Sequence, residues 1–358
     1  VIGAGGGLNM KGGTGGDLLA AGGNGLAGSG GLTMSNGGAV GAAGGPPGVG
    51  GASNGGGGGL SGAGGTVMYP PIAASQLGMP TRVAATTALT LAEGPLWDPC
   101  AHRLLFADVT ASKIYSLAID GGVSVFASNT GNTNGIAFDI DGSLILAQMG
   151  GAPGHISRRD KMGTITPLEP AGTRLHTPDD VVVRSDGAIY FTDGDFPPIG
   201  SIDLAPLPVY VLKHGATTLS NGGSVPGPNG VELSPDEKTL YVDSYNQGAV
   251  IQYAVAPDGS ITKGAALATG LTNADSLCVD AAGNLYVGVS TGLQVLRPDG
   301  SKVALIRIQS TQGVTNCEFG GDDGKTLYIT AWTTVWQITG MPIPGLQWSV
   351  NRVRLGCM

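Results

Sequence analysis

Short apolar runs separated by polar turns fill the chain from Leu91 to Ile338. Six of these runs open on a carboxylate or an amide and continue with mostly apolar residues. They are Glu93–Asp98, Asn134–Asp139, Asp179–Arg184, Asn229–Ser234, Asp275–Asp280 and Asn316–Gly321. A turn such as Asp141-Gly142 or Ser185-Asp186-Gly187 follows, and then a second run such as Leu144–Gln148 or Ile189–Asp193. Short strands joined by Asp-Gly turns read as hairpins. The leading residues lie 41, 45, 50, 46 and 41 positions apart. Further strand candidates, Lys113–Ala118, Val209–Leu212, Val250–Tyr253, Gly292–Leu296 and Val335–Ile338, raise each unit to about four strands. A period of roughly 40–50 residues with that content predicts an all-β fold, a six-bladed β-propeller. No sustained helical period competes with it. The segment Thr81–Leu91 is expected to supply the outer strand of the last blade and so close the ring.

Composition adds a boundary. Thirty of the 65 glycines fall in residues 1–70, and Lys11 and Asp17 are the only charged residues before Arg82. A stretch with so few large apolar side chains cannot offset its backbone entropy by burial. Residues 1–75 are therefore read as a Gly-rich low-complexity tether, 76–340 as the propeller and 341–358 as a C-terminal tail. The tether lacks both a Gly-X-Y period and the Lys-Ser/Thr ending of a phosphate loop.

The net charge of −8 and the scattered Lys and Arg exclude a nucleic-acid footprint. The apolar runs are too short to span a bilayer as helices. A Gly-rich tether before a folded domain points to an exported, periplasmic or surface-tethered protein, with a cytoplasmic location as the alternative. The pattern leaves oligomeric state open. Cys278 and Cys317 lie in apolar runs and are expected to be buried thiols. Cys100 and Cys357, near the two ends of the folded part, could pair in an oxidising compartment.

The repeat has a chemical consequence. Equivalent positions of a propeller fall on one ring around the central channel. That ring would be Glu93, Asn134, Asp179, Asn229, Asp275 and Asn316. Three carboxylates brought together repel unless they protonate or bind a cation. Oxygen-only donors suit a hard cation, Ca²⁺ first, with Mg²⁺, Mn²⁺ and Zn²⁺ as alternatives.

The motifs Ala92-Glu-Gly-Pro-Leu-Trp97, Thr133-Asn-Gly-Ile-Ala-Phe-Asp139, Thr177-Pro-Asp-Asp180, Pro228-Asn-Gly-Val231 and Thr315-Asn-Cys-Glu318, in this order, resemble the SMP-30/gluconolactonase family of propeller lactonases. The resemblance covers about Leu91 to Ile338. It implies a divalent cation held by Glu93, Asn229 and Asp275, with Asp179 where the family carries a further Asn. The extra carboxylate is a departure, and so is Ala147-Gln-Met-Gly150 where many members carry Cys-Glu-His-Gly. Asn134, Arg174, His176 and Asn316 are the candidate substrate contacts.

The implied chemistry is opening of a sugar-acid lactone, with the metal as Lewis acid and Asp275, or else Asp179, activating water. A phosphotriester or general ester hydrolase at the same site and a non-catalytic surface-tethered binding propeller are the alternatives. No Gly-x-Ser-x-Gly elbow supports a serine hydrolase.

Overall fold

Where an inner strand ends, a Gly with positive φ turns the chain back on itself. Gly142 at φ 81° and Gly187 at φ 85° hold conformations that a Cβ would strain. The Asp139 and Arg184 N–H groups then close these turns on the carbonyls of Ser143 and Ala188. Hairpins built this way recur throughout the computed structural model. It describes residues 68–83, 89–150, 153–196 and 206–357. Most of the Gly-rich segment read as a tether lies outside them.

After β1 (Thr81–Arg82), the strands fall into consecutive groups. Blade one is β2 (Ala92–Asp98), β3 (Arg103–Asp108), β4 (Lys113–Ala118) and β5 (Val123–Ser128). Blade two is β6 (Thr133–Phe138), β7 (Leu144–Gln148), β8 (His155–Arg159) and β9 (Ile165–Pro167). Blade three is β10 (Thr177–Val183), β11 (Ile189–Gly194), β12 (Pro206–Leu212) and β13 (Ser220–Pro226). Blade four is β14 (Pro228–Leu233), β15 (Thr239–Ser244), β16 (Ala249–Val255) and β17 (Ile261–Thr269). Blade five is β18 (Leu277–Val279), β19 (Leu285–Val289), β20 (Gly292–Leu296) and β21 (Lys302–Arg307). Blade six is β22 (Asn316–Gly320), β23 (Thr326–Ala331) and β24 (Thr334–Ile338), completed by β1. These six antiparallel four-stranded sheets form a six-bladed β-propeller. β1 pairs with β24 through Thr81↔Gln337 and Arg82↔Trp336, so the expected closing strand is present over two of the described residues, while 84–88 of the expected segment lie outside them.

The core is a set of seams between neighbouring blades. Val182, Tyr190 and Val209 of blade three pack with Val231, Val242 and Tyr253 of blade four. Trp97 of blade one stacks on Tyr328 of blade six at 5.6 Å between ring centroids. Because each sheet is covered on both faces, its inner strands are buried along their whole length. This is why they read as continuous apolar runs rather than as alternating ones.

The tail folds as α1 (Leu346–Leu355) across the end of the channel where the inner strands finish. Arg354 donates to the carbonyls of Phe138 and Val183, at 2.7 and 2.8 Å. Gln347 donates to Glu232, and a disulfide between Cys100 and Cys357 fastens the chain just beyond the helix. A second disulfide joins Cys278 to Cys317 on neighbouring inner strands, with Cα atoms 5.7 Å apart. The sequence reading expected buried thiols there. Both residues are buried, but adjacent blades bring them within bonding reach.

Candidate functional site

Four inner strands carry the same irregularity. Pairing slips by one residue between Glu93 and Leu96, Thr133 and Ile136, Pro178 and Val181, and Pro228 and Val231. Each slip is a β-bulge, a device that re-aims side chains. Glu93, Asn134, Asp179 and Asn229 all lie at or within these bulges, at the start of their strands. The residue after the site position meets the next blade. A Cβ on Gly94 would lie 2.0 Å from the Asn134 carbonyl oxygen, and one on Gly230 would lie 2.6 Å from the Ser276 Cα. Gly at these two positions is a packing requirement.

Glu93, Asn134, Asp179, Asn229 and Asp275 line one cavity of about 100 Å³ at the mouth of the channel. The sixth expected member does not. β22 pairs without a slip, Asn316↔Thr330 onward, so Thr315 faces the cavity. Asn316 lines the separate space deeper in the channel and hydrogen-bonds Asp180. Arg174 and His176 are exposed and do not line the mouth cavity. Arg174 borders an outer surface hollow with His155 and Glu169, while the His176 backbone N–H donates to Asp193 at 3.0 Å.

Burial raises the Glu93 carboxyl well above its ordinary range, and the charges of Asp275, Asp179 and Asp180 raise it further. Asp179 is raised for the same reasons, burial first and then Asp275, Asp180 and Asp193. Asp275 is raised by burial and by Asp180, and a hydrogen bond from the Asn229 side chain partly offsets this. The amides complete the picture. Asn134 directs its NH₂ group to the Met149 sulfur at 3.5 Å, and its Oδ1 has no partner. The Asn229 Oδ1 is likewise buried and unpartnered.

Carboxyls whose ionised form is disfavoured, beside amide oxygens that lack donors, form a set of acceptors short of positive charge. A hard divalent cation fits that donor set. Among the described residues no three His, Cys, Asp or Glu side chains come close enough to hold an ion by themselves. The amide oxygens would have to share the coordination.

Two carboxylates escaped the sequence reading. Asp180 accepts from Val231 N–H at 3.2 Å and Ser276 Oγ at 2.9 Å, tying blade three to blades four and five on the axis. Its signal was present: it stands where the equivalent repeats carry Gly94, Gly135 and Gly230. Asp243, from a second strand, accepts from Gly230 N–H at 3.1 Å and leaves its Oδ1 unpartnered. Burial and then the Asp275 charge raise its pKa well above the usual range.

The family model "SMP-30/Gluconolactonase/LRE-like region" matches residues 91–333. A gluconolactonase of Zymomonas mobilis is 29% identical over 272 residues, which is 67% of this chain and 75% of that protein. A pentonolactonase of Haloferax volcanii is 26% identical over 70% of this chain and 84% of that protein. Among solved structures, a gluconolactonase of Xanthomonas campestris is 30% identical with a TM-score of 0.64, covering 72% of this chain and 87% of that one.

Proposed function

The chain belongs to the SMP-30/gluconolactonase/LRE-like family, and from that premise we propose that it is a divalent-cation-dependent hydrolase that opens a lactone ring. The observation that carries the reading is the pair of unpartnered amide oxygens, Asn134 Oδ1 and Asn229 Oδ1, beside the raised carboxyls of one cavity. The names of the relatives in Zymomonas, Haloferax and Xanthomonas supply the reaction class.

Glu93, Asn229 and Asp275 would hold the cation, with Asp179 as a further carboxylate and Asn134 beside it; Ca²⁺ is favoured by the oxygen-only set. A bound cation would polarise the lactone carbonyl and stabilise the negative charge that builds on its oxygen. Asp275 is the general base of the proposal because it is half-buried, whereas Asp179 is only 3% exposed. The Asn229 amide holds the Asp275 carboxyl in place. Asp275 takes a proton from water as the water oxygen bonds to the carbonyl carbon. When the ring C–O bond breaks, that proton passes to the leaving alkoxide. The net change is addition of one water, giving a hydroxy acid. Two disulfides suit an oxidising compartment, and we place the protein in the periplasm or at the cell surface.

Chelation should abolish turnover of a lactone panel, and Ca²⁺ should restore it. Independently of turnover, Ca²⁺ should raise the melting temperature, since a ligand that binds only the native state stabilises it. Glu93→Gln and Asp275→Asn should each shrink that rise. An unchanged Ca²⁺-induced shift in both variants would remove the cation from this ring.

A further inference from the structure

The walls of the mouth cavity differ sharply around its circumference. Leu91, Met149, Phe196, Tyr245 and Trp332 form an apolar arc contributed by five different blades. They are not separate greasy positions. Leu91, Met149 and Phe196 belong to one buried cluster, on which Tyr245 and Trp332 pack. Phe196 and Tyr245 meet edge to face, with ring centroids 5.6 Å apart. Trp332 is set over the mouth by the two-residue turn between β23 and β24, where Ala331 pairs with Thr334. Its φ of 54° is one a bulky residue rarely adopts. Such a conformation persists only where surrounding structure imposes it, and it gathers at binding sites.

Polar side chains line the cavity from blades five and six: Asn273, Ser290, Gln312 and Thr315. The Thr315 hydroxyl is already committed to the Ala92 carbonyl at 2.6 Å. Among the described residues no Lys, Arg or His lines the cavity. A polyhydroxylated lactone needs a partner for each hydroxyl that leaves water, at a cost of about 1–3 kcal/mol for each one left bare. The five apolar side chains supply few of those partners, so hydroxyls turned toward them would stay bare, and a substrate bearing a carboxylate or phosphate finds no cationic side chain among the described residues. A reactive carbonyl at the carboxyl–amide floor must project the rest of its molecule against these walls.

We propose that the substrate is a neutral lactone carrying one alkyl or aryl substituent, with the ring carbonyl at the floor and the substituent on the Leu91–Met149–Phe196–Tyr245–Trp332 arc. This rests on the reading of the site as a lactone hydrolase and narrows its substrate class.

The test uses the full chain loaded with Ca²⁺. Expected is a kcat/KM for δ-nonalactone at least about tenfold above that for glucono-δ-lactone, the order of discrimination an apolar pocket gives. Trp332→Gln should cut that preference by about tenfold. The matching alkyl δ-lactam, which resists opening, should bind in calorimetry and lose affinity in the same variant. A circular dichroism spectrum and a melting temperature like those of the parent would show that the variant is folded. Preference for glucono-δ-lactone, or a preference that Trp332→Gln leaves unchanged, overturns the apolar assignment while lactone opening stands. Lactam binding without turnover of either lactone overturns the hydrolytic reading and leaves the apolar pocket standing. No lactam binding overturns the pocket.

Discussion

At the scale of single residues, the departure that matters most is Asp179. It is nearly fully buried on the cavity floor, and burial followed by the neighbouring charges of Asp275 and Asp180 raises its carboxyl. A third carboxylate tightens the hold on a cation and neutralises more of its charge, leaving less to polarise a carbonyl. Asp179→Asn removes one negative charge and keeps an oxygen donor. Weaker Ca²⁺ binding by calorimetry with lactone turnover retained or increased is expected. Complete loss of turnover would instead assign the proton transfer to Asp179. The ring was legible in the sequence at five positions because a repeat aligns them, and alignment needs no contact map. Asn316 aligned equally well and still faces away from the mouth. Its strand lacks the bulge found at Glu93, Asn134, Asp179 and Asn229, and a bulge is a pairing property that residue types do not announce. Arg174 and His176 come from the family resemblance and not from the repeat, and their backbone leaves them exposed to solvent.

At the scale of elements, α1 packs over the far end of the channel, where Gln347, Asn351 and Arg354 line the space beneath it. Its Gln347 donates to Glu232 at 2.8 Å, and burial pushes the Glu232 carboxyl to about 8 against the pull of Leu233 N–H and Gln347. Asp180 opposes ionisation there and Arg354 favours it. Glu318, facing the same space, is raised by burial and then by Glu232, and its Oε1 has no partner. Over this range the folded state binds more protons than the unfolded chain, so stability falls as pH rises. The loss should begin near the ordinary Glu value of 4.5, continue to about 8 and then level off. Chemical denaturation at several pH values should show this slope, and Glu232→Gln should flatten it. An unchanged slope would mean that Glu232 is ionised in the folded protein. Little in the residue pattern announces this helix. Ten residues after the last repeat carry no strong amphipathic stripe, because α1 is held by ends and side chains: Arg354 to carbonyls, Trp348 to Gly321, and Cys357 to Cys100.

At the scale of the whole molecule, a propeller is stable only if its first and last blades meet. The sequence placed a closing strand at Thr81–Leu91, and β1 does pair with β24, extended by Val83 N–H to the Val335 carbonyl at 2.9 Å. Both β1 side chains are exposed, so this pairing buries little apolar surface. The stronger tie lies earlier in the chain. Ile72 is 1% exposed within the seam of blades five and six, and its carbonyl accepts from Arg297 at 3.2 Å. One isoleucine ahead of the first repeat carries no periodic signal, which is why pattern reading passed over it. Emptying such a site costs about 2–5 kcal/mol, transfer and cavity terms together. A chain beginning at Leu89 should therefore be less stable in denaturant than one beginning at Met68, and Ile72→Ala in the longer chain should account for most of the difference. If the substitution costs only a few tenths of a kcal/mol while the truncation costs several, the two hydrogen-bonded residues of β1 close the ring and Ile72 does not. Equal stability of both chain lengths would mean that the seam between blades six and one, centred on Trp97 and Tyr328, closes the ring unaided.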